Sequence, residues 1–267
     1  MAICEYEGIK YETFGTGTTI LFIHGLFLDR VSTREFFEKN SSIKQFKRIY
    51  IDLPGMGDSI PNAIASSDAI FNKITRLIDH IIEDNPFIVY GHSYGGYLAQ
   101  AIAHQYQNQV RAVLVTCPVV IANSEKRVVA AHKNKVIEKL TVTSNSDFIE
   151  DFKQMNVIID QDSWLSYQKL FLSGIKKADI EFLKKLQRNG YTLSFEDKLT
   201  HFGPDTQVTF LLGRFDHVVG YKQQVELISK NEKGDIVVVD DAGHNLMIDQ
   251  PDIVNFYFDR LIQKVIK

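Results

Sequence analysis

Phe87-Ile88-Val89-Tyr90-Gly91-His92-Ser93-Tyr94-Gly95-Gly96 decides how this chain is read. Residues 87–90 form a short apolar run suited to a buried strand. After Gly96 come Ala99 and Ala103, three and seven positions on, which continue the slim face of a helix able to lie close on a sheet. A G-x-S-x-G spacing between strand and helix forces a sharp turn at Ser93 that lifts its hydroxyl above the sheet. The flanking backbone is then crowded, and only small residues tolerate that. Glycine and serine are also ordinary loop formers, so the six residues alone fit a merely structural turn as well as a nucleophile. The strand before and the helix after favour the nucleophile.

With 267 residues, 45% of them hydrophobic, the chain can bury one large α/β core. A formal charge of -3 gives no basic excess for phosphate backbones, so no nucleic-acid partner is expected. The start, Met1-Ala2-Ile3-Cys4-Glu5, lacks a charged segment followed by an apolar one, and no apolar run reaches the roughly 18 residues that span a bilayer. The expectation is a cytoplasmic enzyme with no membrane partner; the sequence is silent on oligomeric state. Cys4 and Cys117 make no disulfide framework. Cys117, at the end of a buried-type strand, suits a small hydrophobe better than a catalytic thiol.

Working outward, apolar runs alternate with helical patterns, the form of a parallel sheet flanked by helices. Residues 3–6 and 9–14 read as a leading hairpin. Runs at 19–23, 48–51, 87–90, 112–116, 208–212 and 236–239 read as buried strands, about eight strands in all. Residues 68–83 carry Ile70, Ile74, Leu77, Ile78 and Ile81 at helical spacing. Residues 119–203 break the alternation, with no proline and no convincing strand. Residues 123–200 are therefore expected to be a helical lid inserted between core segments 1–122 and 201–267. Phe148, Phe152 and Met155 share one helix face, as do Trp164, Tyr167 and Phe171, and Asn189-Gly190 reads as a helix stop. These aromatic faces either pack the lid or wall a pocket. The lid's slight excess of Lys and Arg over Asp and Glu (13 against 11) fits a solvated helical surface better than an acidic substrate.

A serine hydroxyl needs a base to take its proton and an acid to orient that base. Leu211-Leu212-Gly213-Arg214-Phe215-Asp216-His217 places Asp216 just past a strand, and Val239-Asp240-Asp241-Ala242-Gly243-His244 places a histidine after another. Parallel strands deliver both loops to the sheet edge where Ser93 emerges. His80, His104, His132 and His201 have no metal-ligand spacing, and neither Cys-x-x-Cys nor His-Glu-x-x-His occurs, so no metal is implied. No dinucleotide fingerprint is present either, and no cofactor is expected.

The order Ser93, Asp216, His244 resembles the α/β-hydrolase superfamily along the whole chain. His24-Gly25 after a strand, Asp52-Leu53-Pro54-Gly55-Met56-Gly57-Asp58-Ser59 after the next, and Gly243-His244 before the last helix belong to the same pattern. The hairpin and lid look most like the lidded esterase, carbon-carbon hydrolase and haloperoxidase-like branch. The resemblance implies an α/β fold, a mostly parallel sheet of about eight strands with an inserted helical lid. It makes Ser93 the nucleophile, His244 the base and Asp216 the residue that orients it, in preference to Asp240 or Asp241. The backbone N–H groups of Leu26 and Tyr94 would form the oxyanion hole. Leu26-Phe27-Leu28, without further glycines, would make the pocket mouth apolar, and Phe27 and Trp164 are the candidates for substrate contact.

The substrate expected is a small or medium carboxylic ester. Carbon-carbon, thioester and amide cleavage remain open, the last requiring a lid carboxylate such as Glu125, Glu138 or Glu150 to meet an amine. A lid-gated ligand receptor is the rival outside enzymology.

Overall fold

The computed structural model describes residues 3–136, 138–199, 201–230 and 234–266. Met1, Thr200 and Lys267, which are limits of the expected core and lid segments, lie outside them. The strands are β1 (Cys4–Tyr6), β2 (Ile9–Phe14), β3 (Thr19–Ile23), β4 (Lys47–Ile51), β5 (Phe87–His92), β6 (Val110–Thr116), β7 (Lys135–Val136), β8 (Ile158–Ile159), β9 (Gln207–Gly213) and β10 (Asp235–Val239). Eight of them form one sheet in the order β1-β2-β4-β3-β5-β6-β9-β10. β1–β2 and β2–β4 pair antiparallel, and every other pair is parallel. The leading hairpin turns at Glu7 and Gly8, both with positive φ (46° and 81°), the geometry that a two-residue connection between twisted strands requires.

The helices are α1 (Arg30–Phe37), α2 (Ser67–Ile81), α3 (Tyr94–Gln105), α4 (Ile149–Met155), α5 (Gln161–Leu170), α6 (Leu172–Lys177), α7 (Ile180–Asn189), α8 (Lys222–Ile228), α9 (Leu246–Asp249) and α10 (Pro251–Ile266). β3 and β5 are buried along their whole length, which explains their unbroken apolar runs. On one face, Phe37 of α1 and Phe258 of α10 meet Phe22 and Tyr90 of the sheet, with ring centroids 4.6–6.4 Å apart. α3 packs against β5, its close approach permitted by Gly91, Gly95 and Gly96.

Register places the loops that matter. Ile23 pairs with Gly91, His92 with Thr116, Thr116 with Leu211, and Val239 with Gly213. The segments beginning at His24, Ser93, Arg214 and Asp240 therefore leave the sheet at one edge. Between β6 and β9 the chain folds as α4 to α7 over that edge. It also contains β7 and β8, a parallel pair that corrects the strand-free reading of 119–203; at two residues each they are too short to leave a periodic signal. Asp160 and Asp179 cap the starts of α5 and α7 with their side chains, and α7 ends at Gly190.

Candidate active site

Ser93 stands between β5 and α3 with φ 54° and ψ -116°, a conformation that costs about 1–3 kcal/mol and persists only when the surroundings impose it. Its N–H donates to Thr116 O at 3.0 Å, and its carbonyl accepts from Tyr97 N and Val119 N at 3.1 Å each. The glycines around it are required by contact. A Cβ on Gly95 would lie 2.3 Å from Ile23 O, and one on Gly91 would lie 2.3 Å from Gly95 O. With α3 pressed onto the strand in this way, the serine Oγ projects at the sheet edge.

His244 Nε2 lies 2.9 Å from Ser93 Oγ, and its Nδ1 lies 2.9 Å from Asp216 Oδ2. A carboxylate on one side fixes the tautomer: Nδ1–H donates to Asp216, leaving Nε2 to accept the serine proton. Asp216 Oδ1 accepts from Val218 N and Val219 N at 2.8 and 2.9 Å. Burial alone would raise the Asp216 pKa, yet His244 and the two N–H donors outweigh it and hold the carboxyl below its ordinary value. Asp240 and Asp241 are engaged elsewhere, with Arg214 and Lys135. Cys117 is fully buried, and burial first, then Asp216, pushes its thiol well above the ordinary value, so it is no thiolate nucleophile.

Gly25 lies against the serine, a Cβ there falling 3.2 Å from Ser93 Cβ. The loop it begins is fixed from below. Leu53 N–H donates to His24 Nε2 (3.0 Å) and the other ring nitrogen donates to Gly25 O (2.7 Å), so His24 fastens its own turn. Arg30 is buried among Asp52, Asp58 and Glu12, which anchors the far end. The N–H groups of Leu26 and Tyr94 have no acceptor among the described residues. Tyr94 opens α3 and has no carbonyl one turn back. Two free donors thus flank the serine. His92 lies beside His244, ring centroids 5.2 Å apart, with its Nδ1 facing Thr116; burial first, then His244, lowers it to about 3, so it is a neutral neighbour.

Residues 20–255 match the model of a family described as the alpha/beta hydrolase family. The chain belongs to that family. Among solved structures, this hydrolase is similar to an alpha/beta superfamily hydrolase from Oenococcus oeni PSU-1, 43% identical over the full length of both chains with a TM-score of 0.97. At 19% identity it shares its fold with a thermophilic esterase from Thermogutta terrifontis (96% of this chain, 93% of that one, TM-score 0.64). The same holds at 20% for a meta-cleavage product hydrolase from Pseudomonas fluorescens IP01 (96% and 94%, TM-score 0.66). A curated relative, a pimeloyl-[acyl-carrier protein] methyl ester esterase from Shewanella woodyi, is 29% identical over 110 residues. That match covers 40% of this hydrolase and 39% of the relative, well under half of either.

A cavity of about 480 Å³ lies over Ser93 and His244, between the sheet edge and the segment joining β6 to β9. Leu26 and Phe27 are among the residues that line it, with Tyr167 and Phe171 of the second aromatic face and Met155 of the first. Trp164 does not. It is 1% exposed and packed against Phe152 and Tyr167, because the same helix face meets both its own layer and the cavity, and Trp164 points into the layer. Glu125, Glu138 and Glu150 are also absent from the lining, where Asp151 is the one described carboxylate of that segment.

Asp249 belongs to none of the sequence motifs described above. Only 5% exposed, it accepts from Val157 N and Ile158 N (3.0 Å each) on one oxygen and Gly243 N (2.8 Å) on the other. It ties β8 to the residue before His244. A lone acid in the apolar turn Leu246-Met247-Ile248-Asp249 was the available signal.

Proposed function

We propose that this hydrolase cleaves a small or medium carboxylic ester through an acyl-serine intermediate, beneath a lid formed by residues 123–200. The observation that carries the reading is the continuous chain of hydrogen bonds from Ser93 Oγ through His244 to Asp216 beneath the cavity. Ser93 Oγ attacks the acyl carbonyl while His244 Nε2 takes its proton. The carbonyl oxygen becomes an oxyanion facing the N–H groups of Leu26 and Tyr94. His244 then protonates the departing alkoxide, and Asp216 stabilises the imidazolium and keeps the ring oriented. Water, activated by the same histidine, releases the acid and restores Ser93. A cavity of about 480 Å³ is within the range of roughly 300–1,000 Å³ that small-molecule sites occupy.

Turnover of p-nitrophenyl esters of increasing acyl length checks this reading. Wild type is expected to cleave acetate to octanoate esters with an optimum set by the cavity, and Ser93→Ala none of them above background. Ester turnover that survives in Ser93→Ala contradicts it. A wild type that cleaves no ester in the panel removes the ester assignment.

A further inference from the structure

The charge distribution within the cavity carries one step more. Arg127 is the sole lysine or arginine among the described residues that line it. Its guanidinium is held in a fixed plane by three backbone carbonyls: Nε donates to Ile121 O at 2.8 Å, Nη2 to Ala122 O at 2.9 Å and Nη1 to Val218 O at 3.3 Å. It also stands over the Tyr191 ring, 5.6 Å from the centroid. A guanidinium has five N–H donors, so these bonds leave two without a carbonyl. None of the partners is charged, and no described carboxylate forms an ion pair with Arg127.

A half-buried cation on a largely apolar wall is costly without an anion, and a planar, pre-oriented guanidinium is suited to binding a carboxylate by paired hydrogen bonds. The cavity's other formal charge outside the triad does not supply that anion. Asp151 is exposed to solvent at the rim, where it accepts the Tyr167 hydroxyl. Val218 follows two residues after Asp216, so the guanidinium is fastened to the loop that orients His244.

We propose that Arg127 forms an anion-binding subsite of this cavity, and that the preferred ester carries a carboxylate remote from its scissile bond. The proposal rests on the serine-esterase reading for the word ester, and its test is chosen to be independent of turnover. Binding is measured by calorimetry on Ser93→Ala for two matched pairs. Methyl hydrogen adipate against methyl heptanoate places the carboxylate on the acyl side; 5-acetoxypentanoate against hexyl acetate places it on the alcohol side. In at least one pair the anionic member is expected to bind roughly tenfold or more tightly, and that pair shows which half of the ester faces Arg127. Adding Arg127→Gln is expected to remove the preference, and Arg127→Lys to keep part of it. Because the readout is a ratio within one protein, a general loss of folded material cancels. Equal affinity within both pairs, a preference that survives Arg127→Gln, or binding of none of the four overturns the proposal. An intact, Arg127-dependent preference in a wild type without Ser93-dependent turnover would overturn the esterase reading alone.

Discussion

Asp216 is buried and holds His244 in a single tautomer, so Asp216→Asn keeps the shape and loses the orienting charge. The expected result is a fall in kcat/KM of roughly a thousandfold or more with the fold retained, measured by ester turnover beside circular dichroism; a loss of only a few-fold would contradict the assigned role. Asp249 makes a second prediction at this scale. Burial raises it from 3.8 to about 7 despite three N–H donors, and neighbouring Asp160 pushes the same way. Across that window the folded protein holds a proton that the unfolded chain has released, so the group's contribution to stability falls as pH rises and is gone above about 7. Asparagine cannot ionise. Urea denaturation at about pH 5 and about pH 8 should therefore show wild type losing stability relative to Asp249→Asn between the two, and a pH-independent difference would contradict it. Ser93, Asp216 and His244 stood out in the sequence because each follows a strand in a glycine-marked loop. Arg127 and Asp249 did not, since what defines them is backbone groups, some near in the chain (Ala122, Gly243) and some far (Val218, Val157), whose meeting only the fold fixes.

At the scale of elements, the turn after β3 and helix α6 are in direct contact. A Cβ on Gly174 would lie 2.4 Å from Leu28 C and 2.6 Å from Asp29 N, and Ser173 Oγ donates to Asp29 Oδ2 at 2.6 Å. In an exposed helix Gly→Ala adds up to ~1 kcal/mol of stability. Here the contact with backbone outweighs that gain and displaces the loop that carries the Leu26 N–H. Gly174→Ala is expected to lower both the denaturation midpoint and kcat, with KM little changed. A more stable and fully active variant would show that the loop and α6 are not coupled. Six of the eight sheet strands were legible as short apolar runs and the leading pair as a hairpin, while α2 was legible because a period of 3.6 survives over its 15 residues. β7 and β8 were not, and Trp164 could not be separated from Tyr167 and Phe171, because a shared helix face does not say which neighbour lies opposite each side chain.

Across the molecule, the apolar side chains of the segment between β6 and β9 join the core without a break: Phe152, Trp164, Tyr167, Phe171 and Leu183 belong to the same cluster as Phe22 and Tyr90. Lys177 with Asp58 and Lys169 with Glu35 add surface ties. The segment should therefore unfold with the sheet rather than ahead of it. The single tryptophan, Trp164, reports on that segment alone. Its fluorescence and the far-ultraviolet circular dichroism are expected to give coincident denaturation curves. A fluorescence transition at lower denaturant would mean a segment that opens on its own. The α/β architecture was readable from alternation alone, while the position of the segment over the sheet edge depends on long-range packing that no local pattern encodes.

The central claim is that Ser93 is the nucleophile, and covalent labelling reads it most directly. Wild type treated with a fluorophosphonate should gain one adduct, located by peptide mass spectrometry on the peptide containing Gly91-His92-Ser93-Tyr94-Gly95, and Ser93→Ala should gain none. An adduct on any other residue, or undiminished labelling of Ser93→Ala, would contradict the account.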